Sequence, residues 1–404
     1  MKTVVVGGGP SGMISAYFQS KNGSDVILIE KNEKLGKKLY ITGKGRCNVT
    51  NDCDVQTFLA NVVTNPKFLM SSIYSFTPTD TINFFNDIGL PTKVERGNRV
   101  FPASDKSSDV IKVLKNALEN VGAEVKYNET VTDILVKDGS VYKVKTDLSE
   151  YECDKVIVAT GGISYASTGS TGDGYGFAKK LGHTVTSLTP SLCGFNLKGD
   201  EYKALQGLSL KNVKLTVNDC GKEYFSEQGE MLFTHFGVSG PLILTASALT
   251  TKRSLSNIKL CIDLKPALTV QELDKRLLRD FEINKNKALK NSLDLLLPKA
   301  LIPLVIKRSG VGEYKKNNEI TVKERAMLVN VIKFLDFSVA SLRDFTEAVV
   351  TSGGVSVKQI NPSTMESKLV KGLYFVGEVL DLDAFTGGFN LQIAFSTGYV
   401  AGNN

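Results

Sequence analysis

The feature that most constrains the fold is a glycine pattern near the amino terminus. Gly7, Gly9 and Gly12 form G-x-G-x-x-G between a β-branched run at 3–6 and a helix-compatible segment at 13–20. The first glycine permits a tight turn, the second lets the backbone approach a pyrophosphate, and the third allows close packing of helix on strand. The helix N-terminus attracts negative charge. This order predicts a dinucleotide site on a parallel, doubly wound sheet.

A carboxylate completes the pattern. The run Val26–Ile29 predicts the second strand, and Glu30 ends it, 18 residues after Gly12. An acidic residue at this place accepts hydrogen bonds from the adenosine ribose in dinucleotide-binding folds. The glycines and Glu30 together are far more specific than the glycines alone, but they do not separate NAD from FAD.

Two later segments distinguish the two dinucleotides. Val156–Gly162 (VIVATGG) resembles the segment by which glutathione-reductase-type flavoproteins return the chain to the dinucleotide, and Gly372–Asp381 (GLYFVGEVLD) resembles their late ribityl-contacting segment. A dehydrogenase that binds NAD alone has no need of the late segment. No second G-x-G-x-x-G follows a strand, so no dedicated NAD(P)H domain is expected. We predict FAD as the cofactor, with NAD(P)H as a candidate transient electron donor.

Composition narrows the chemistry. The 404 residues include 2 His and no Trp, so a multi-histidine metal site is nearly excluded and we predict no metal. Any proton chemistry must rely on other groups or on a cofactor. The net charge is +7, from 49 Lys and Arg against 42 Asp and Glu, which does not favour nucleic acid as a partner. The six cysteines include no C-x-x-C pair, and no apolar run reaches the roughly 18 residues that span a membrane. We expect a cytoplasmic protein that acts on a small molecule.

The order of segments predicts a nucleotide-binding domain interrupted by an insertion. The segment at 31–55 is glycine-punctuated and is expected to form an extended loop. Capping boxes of the form T-x-x-E begin predicted helices at Thr269 and Thr321. The expected boundaries are 1–190 and 345–404 for the FAD-binding domain, 191–268 for a β-rich inserted domain and 269–344 for a helical inserted subdomain.

Five further segments carry a family resemblance. They are Gly36–Asn51 (GKKLYITGKGRCNVTN), Met231–Leu242 (MLFTHFGVSGPL), Thr351–Val357 (TSGGVSV), Thr364–Lys368 (TMESK) and Gly387–Gln392 (GGFNLQ). Together they resemble the BaiN/YhiN-like flavoproteins, also called aminoacetone-oxidase-type FAD-binding proteins, over nearly the whole chain. The resemblance implies an α/β fold: a Rossmann-like FAD-binding domain of the glutathione-reductase type with an inserted β-barrel-like and helical cap. Lys44 stands where the family has a glycine-richer loop, and Phe389 where it often has tyrosine.

The resemblance also implies which residues contact FAD. Arg46 and Lys38 would neutralise diphosphate charge, Asp381 would bind ribityl hydroxyls, and the backbone of Val131 would face adenine. The N–H groups at the start of the last helix would face the flavin pyrimidine ring. The full set is Gly7, Gly9, Ser11, Gly12, Glu30, Lys31, Lys38, Thr42, Arg46, Asn48, Val131, Thr160, Gly161, Gly377, Glu378, Asp381, Gly388, Phe389, Asn390, Leu391 and Gln392.

The two histidines have different expected roles. His235 lies in the family-like segment Phe233–Gly237, where it would orient substrate or donate a proton near flavin N5; a structural imidazole bonded to backbone is the alternative. His183 follows a predicted helix end and is expected to cap it. Cys47 has no partner cysteine in its segment, so we expect it to pack rather than react.

The predicted activity is that of an FAD-dependent oxidoreductase. A reduced donor delivers a hydride to the flavin, which passes the electrons to a small organic substrate or to O2. Two alternatives stay open. One is a flavoprotein that acts on RNA or serves as a non-catalytic binding scaffold, and the other is a reductase of unsaturated carbonyl or steroid-like substrates.

Overall fold

The chain divides into two structural units. The computed structural model describes all residues, Met1–Asn404. Unit 1 comprises Met1–Ser191 and Asp344–Asn404, and unit 2 comprises Leu192–Arg343. Each unit encloses its own cluster of buried apolar side chains. Unit 1 is therefore built from two stretches of chain that unit 2 separates in sequence.

The strands are short in unit 1 and reach their greatest length in unit 2. In chain order they are β1 Lys2–Val6, β2 Asp25–Glu30, β3 Thr50–Asn51, β4 Thr92–Glu95, β5 Arg99–Pro102, β6 Glu124–Tyr127, β7 Val131–Lys137, β8 Ser140–Thr146, β9 Glu150–Glu152, β10 Lys155–Val158, β11 Thr189–Ser191, β12 Phe195–Leu197, β13 Ser209–Asp219, β14 Lys222–Phe233, β15 Gly237–Ser239, β16 Ile258–Asp263, β17 Leu335–Leu342, β18 Val350–Ser352 and β19 Leu373–Phe375.

Helices occur in both units, and none of them is both long and apolar enough to cross a membrane. They are α1 Pro10–Lys21, α2 Lys37–Ile41, α3 Val55–Ala60, α4 Met70–Ser75, α5 Pro78–Asp87, α6 Ser107–Asn120, α7 Asp173–Lys180, α8 Pro241–Ala248, α9 Val270–Ile283, α10 Ile302–Ser309, α11 Val322–Lys333 and α12 Phe389–Gly402.

The centre of unit 1 is a five-stranded parallel sheet. Its strand order is β19-β10-β1-β2-β6, so the first strand lies in the middle. β10 is buried along its whole length, and so is β1 after its first residue, because helices cover both faces of such a sheet. The α/β Rossmann-type fold predicted from the sequence is confirmed. Three small antiparallel sheets accompany it, ordered β3-β5-β4, β7-β8-β9 and β11-β18.

The first and last helices of unit 1 pack against each other. The hydroxyl of Ser15 in α1 donates a hydrogen bond to the Gly398 carbonyl in α12 at 3.0 Å, and the Gln19 amide donates to the Ala401 carbonyl at 3.0 Å. A Cβ on Gly398 would lie 2.6 Å from the backbone oxygen of Ser11, so only glycine allows this approach. Close packing thus joins residues nearly four hundred positions apart.

The segment at 31–55 is more ordered than the expected extended loop. It contains the short helix α2 and the strand β3, joined by a turn with left-handed backbone at Gly43, Lys44 and Gly45. Leu39 anchors α2 in the core, at 1% exposure. The glycines exclude a long helix, but one buried leucine is enough to hold a single turn and a half.

Unit 2 contains a closed barrel of six strands in the order β12-β15-β14-β13-β16-β17. The helices α9 and α11 begin at the predicted capping boxes, where Thr269 and Thr321 each accept the backbone N–H three residues on. The expected helical segment at 269–344 also holds strand β17, which pairs with β16 and β12 and closes the barrel. Buried and exposed residues alternate from Leu335 to Val339, as in a strand. The sequence did not reveal this strand because it directly follows a segment with helical spacing.

Candidate functional site

The predicted site residues follow the carboxyl ends of the parallel strands. Gly7 follows β1 and Glu30 ends β2, while Thr160 comes after β10 and Gly377 after β19. Val131 begins β7, four residues after β6 ends. Ligands of open parallel sheets bind outside the carboxyl ends of the strands. All five strands therefore lead to one edge of the sheet, which is where a dinucleotide would lie.

The glycine turn has distinct requirements at its three positions. Gly7 has a φ of 104°, and a Cβ there would lie 2.7 Å from the Ala159 carbonyl oxygen. A Cβ on Gly9, in contrast, would have no neighbour closer than 4.0 Å. Gly9 is the N-cap of α1 and the helix has no side-chain cap, so the N–H groups of Ser11 and Gly12, which follow Pro10, stay available to a ligand. Ser11 is buried in this first turn.

Glu30 holds the turn in place. Its carboxylate accepts the Gly8 N–H at 2.8 Å and the Asn32 N–H at 2.8 Å, and it is 7% exposed. A carboxylate buried in this way needs several donors to offset the loss of water. Glu30 thus links the glycine turn to the end of β2, and it retains acceptor capacity for further hydroxyl donors.

Lys38 and Glu378 form an ion pair at 2.7 Å. The Lys38 ammonium also donates to the Ser164 hydroxyl at 3.0 Å, and Glu378 accepts the Thr351 N–H at 2.9 Å. Both side chains are about one-fifth exposed, so the lysine is reachable from solvent, and its contact with a phosphate stays a prediction. The pair connects α2 with the segment after β19, 340 residues further along the chain.

Two other predicted basic contacts also have carboxylate partners. Lys31 lies 2.6 Å from Asp173. The Arg46 guanidinium pairs with Glu95 and Asp105 and stacks 4.2 Å from the centre of the Phe101 ring. The hydrogen bond from Arg46 lowers the pKa of Glu95. Arg46 is thus fixed as part of a local charge cluster, with its diphosphate role left as a prediction.

Thr42 and Cys47 stabilise the turn that follows α2. The Thr42 hydroxyl donates to the Leu39 carbonyl at 2.7 Å. Cys47 has a φ of 58° and is completely buried, and burial raises the pKa of its thiol to about 12. A thiol with this pKa does not ionise near neutral pH, so Cys47 packs and does not act as a nucleophile.

Of the seven buried side-chain polar atoms that have no hydrogen-bond partner, three belong to predicted FAD contacts. They are Oδ1 of Asn48, Oγ1 of Thr160 and Oδ1 of Asp381. A buried polar atom without a partner costs about 1–3 kcal/mol, and native proteins contain few of them. A ligand with several hydroxyl and amide groups would satisfy these atoms. Two acceptor oxygens and one hydroxyl at predicted contact positions therefore fit FAD.

The start of α12 presents backbone and not side chains. Gly388, at a φ of 98°, precedes the helix, which has no side-chain cap. The side chains that follow are occupied: Phe389 packs on Phe58, and the Asn390 amide donates to the Ala384 carbonyl at 2.8 Å. Gln392 accepts a hydrogen bond from the Thr50 hydroxyl at 2.6 Å, and Leu391 packs on the core of unit 1.

The first N–H groups of α12 therefore remain for a ligand. Gly161 and Gly377 also have left-handed backbone, after β10 and β19.

The histidines occupy different environments. The His183 ring is buried, lies 2.7 Å from the Ser367 hydroxyl and contacts the Ala178 carbonyl at the end of α7 at 3.3 Å. The capping contact is as expected, but burial lowers the pKa of the imidazole, so it caps as a neutral ring. His235 is exposed in unit 2, with its ring edge-on to Phe236 at 5.1 Å.

Sequence reasoning missed several residues that complete the site. Ser164 and Thr351 bond to each other and to Glu378, while Asp173 pairs with Lys31. Thr351 lies in a segment with a family resemblance, which is a usable signal. Ser164 and Asp173 show no local pattern, because their roles arise only when distant segments meet.

The fold and the site define a flavoprotein of the Rossmann type. The family described as HI0933-like protein Rossmann domain matches the chain over residues 1–404. The chain belongs to this family and is an FAD-dependent oxidoreductase. The family resemblance drawn from the sequence is confirmed.

Two relatives cover nearly the whole chain. One is the 3-dehydro-bile acid delta(4,6)-reductase of Clostridium scindens, 29% identical over 404 residues, with 98% of this chain and 97% of the relative covered. The other is the ribosomal RNA dihydrouridine synthase of Haemophilus influenzae, 31% identical over 410 residues, with 98% and 96% covered. Among solved structures, a 3-ketosteroid-delta4-(5alpha)-dehydrogenase from Rhodococcus jostii has a TM-score of 0.54 at 14% identity, covering 100% of this chain and 96% of that one. At this low identity, the similarity to the dehydrogenase shows a shared fold alone.

Proposed function

We propose that this oxidoreductase reduces a carbon–carbon double bond conjugated to a carbonyl group. The proposal rests on two relatives that match nearly the whole chain. Their names describe the same reaction on different substrates. A 3-dehydro-bile acid delta(4,6)-reductase acts on double bonds conjugated to a ring ketone, and a dihydrouridine synthase saturates the uracil double bond beside a carbonyl. A small cyclic enone is the first candidate acceptor.

Bound FAD would supply two-electron hydride chemistry. The residues of unit 1 would hold it: Lys38 and Arg46 near the diphosphate, Glu30 at the ribose, and the α12 N-terminus beside the flavin ring. The Thr160 hydroxyl would form a hydrogen bond with one of the polar groups of the cofactor. The glycine turn would let the pyrophosphate of FAD approach the backbone closely.

His235 is proposed as the residue that gives a proton to the acceptor. A conjugated double bond takes up a hydride at one carbon and a proton at the other. His235 is the exposed one of the two imidazoles, whereas the His183 ring is enclosed. A His235→Gln substitution should slow acceptor reduction by about 100-fold or more while leaving flavin reduction by the donor unchanged. Equal slowing of both half-reactions would exclude this role.

The reaction is testable by its two halves. The FAD-loaded protein is mixed anaerobically with NADH or NADPH, and bleaching of the oxidised flavin band identifies the donor. Reduced protein is then mixed with a cyclic enone, its saturated counterpart or O2. We expect reoxidation by the enone and none by the saturated control. Reoxidation by O2 alone would replace the proposal with an oxidase.

A uracil ring in RNA is a second candidate acceptor. The observation that favours it is the charge of unit 2, which carries 24 Lys and Arg against 16 Asp and Glu. A transcript is incubated with donor and protein, and dihydrouridine is measured. Its formation with the unaltered protein, and not with the His235→Gln variant, would support this acceptor.

We also propose a cytoplasmic location, supported by six cysteines that are all free thiols.

A further inference from the structure

The basic excess of the chain lies entirely in unit 2. Unit 1 contains 25 Lys and Arg against 26 Asp and Glu, whereas unit 2 contains 24 against 16. A charge asymmetry of this size between two units indicates where a polyanion would bind.

Two segments of unit 2 bring several of these lysines together. Residues 284–291 and 313–318 run side by side, joined by hydrogen bonds from Leu289 N–H to the Lys315 carbonyl at 2.9 Å and from Asn317 N–H to the Lys287 carbonyl at 3.1 Å. An antiparallel bridge pairs Ala288 with Lys316. We refer to these two segments as the lysine patch. It contains five lysines and one acidic residue, Glu313.

Three of the five lysines in the lysine patch have no ion-pair partner. Lys315 pairs with Glu324 at 2.7 Å, and Lys285 lies 3.7 Å from Glu282. Lys287, Lys290 and Lys316 make no ion pair within 4.0 Å. Like charges held close together by backbone hydrogen bonds repel each other, so a multivalent anion would bind them with a gain in free energy.

The lysine patch also presents an aromatic ring. Tyr314 is 70% exposed, and the ammonium of Lys290 lies 4.0 Å from the centre of its ring. Proteins bind single-stranded nucleic acid by combining cations for the phosphates with exposed aromatic rings on which bases stack. Bases in a duplex are already stacked and cannot use such a ring.

We propose that the lysine patch binds single-stranded RNA. Tyr314 would stack on one base, and Lys287, Lys290 and Lys316 would contact the neighbouring phosphates. This inference rests on the second candidate function, in which RNA is the acceptor. The binding itself needs no redox step, so a loss of binding and a loss of the reaction are measured separately.

The test measures binding of the FAD-loaded protein to a fluorescein-labelled oligoribonucleotide of about 12 nucleotides, a length within the usual site size. Fluorescence anisotropy is recorded over a series of KCl concentrations. The charge-reversed variant Lys287→Glu/Lys316→Glu should bind at least tenfold more weakly. The slope of log K against log salt should become shallower by about 1.4, since each phosphate contact on a single strand contributes about 0.7.

A matched control is Lys211→Glu/Lys222→Glu, which changes the net charge of unit 2 equally at two exposed lysines of the barrel. We expect its affinity to stay within twofold of the unaltered protein. An equal loss in both variants, or no loss in the first, would overturn the proposal.

The stacking component has its own test. Tyr314→Ala should weaken binding by about 5- to 100-fold, while Tyr314→Phe should retain it, because stacking needs the ring and not the hydroxyl. Far-ultraviolet circular dichroism checks that each variant is folded. Equal affinity of Tyr314→Ala, together with equal binding of a duplex, would overturn the single-strand assignment. Binding to phosphatidylserine vesicles without binding to RNA would overturn it in favour of a membrane surface.

Discussion

The carbonyl oxygen of Gly7 lies so close to Gly12 that a Cβ on Gly12 would meet it at 1.9 Å. No side chain can be accommodated at that distance from backbone. The first turn of α1 therefore depends on Gly12 even before any cofactor binds. Gly9, between them, has no such neighbour.

Gly12→Ala should destabilise the protein without FAD by several kcal/mol, because the backbone must shift to relieve the clash. Chemical denaturation of the FAD-free protein measures this. The matched control is Gly176→Ala in α7, where a Cβ would meet nothing within 4 Å. It should be neutral or stabilising by about 0.4–1 kcal/mol. Equal stability of the two variants would contradict the steric argument.

Gly9→Ala should separate folding from cofactor binding. The φ of Gly9 is −79°, which alanine adopts without strain, and the added Cβ meets no protein atom closer than 4.0 Å. We expect the stability of the FAD-free protein to change by less than about 0.5 kcal/mol. FAD affinity, measured by quenching of flavin fluorescence, should fall at least tenfold, since the methyl group would occupy space that the pyrophosphate needs. Unchanged affinity would remove the pyrophosphate from this turn.

Thr160→Val should have opposite effects on the two states. The buried Thr160 hydroxyl has no partner in the protein, so its removal should leave the FAD-free protein equally stable or stabilise it by about 1 kcal/mol. FAD binding should weaken by about tenfold, because one hydrogen bond is lost.

Thr81→Val provides the control for this substitution. The Thr81 hydroxyl is also buried without a partner, but it lies on α5, outside every predicted FAD segment. Its removal should leave FAD affinity unchanged. A parallel loss in both variants would mean that the hydroxyls act through packing.

His183 should make stability depend on pH. Because the pKa of the buried ring is below its ordinary value of 6.5, the unfolded chain takes up the proton first as the pH falls. The contribution of the neutral ring is fully present above about pH 6.5 and is lost as the pH falls towards the folded-state pKa. Urea denaturation at about pH 8 and about pH 5.5 should show a smaller pH effect for His183→Gln than for the unaltered protein. Identical pH effects would contradict this assignment.

Predictions from short-range sequence patterns were correct. The glycine turn, Glu30 at the end of β2, and the capping boxes at Thr269 and Thr321 are all visible within a few residues, and each appears in the structure. Their physical causes are local: left-handed backbone, close approach, and N–H groups at a helix end. This is why the fold class could be predicted.

Long-range partners were not predictable. Lys38 was expected near a phosphate, yet its pairing with Glu378 depends on two segments 340 residues apart. Strand β17 was missed because its alternation becomes informative only beside β16, and Tyr314 was missed because its neighbours come from another loop. Such contacts arise from tertiary packing, which outweighs local propensity.

The packing of α1 against α12 has a consequence for synthesis on the ribosome. Ser15 and Gly398 are separated by 383 residues, which at about 5–20 residues per second corresponds to roughly 20–80 s of translation. During that interval the nascent chain has its first helix without its partner, while the whole of unit 2 has been made. Unit 1 is thus completed late, and premature termination anywhere before α12 would leave an apolar surface for chaperones and proteases to recognise.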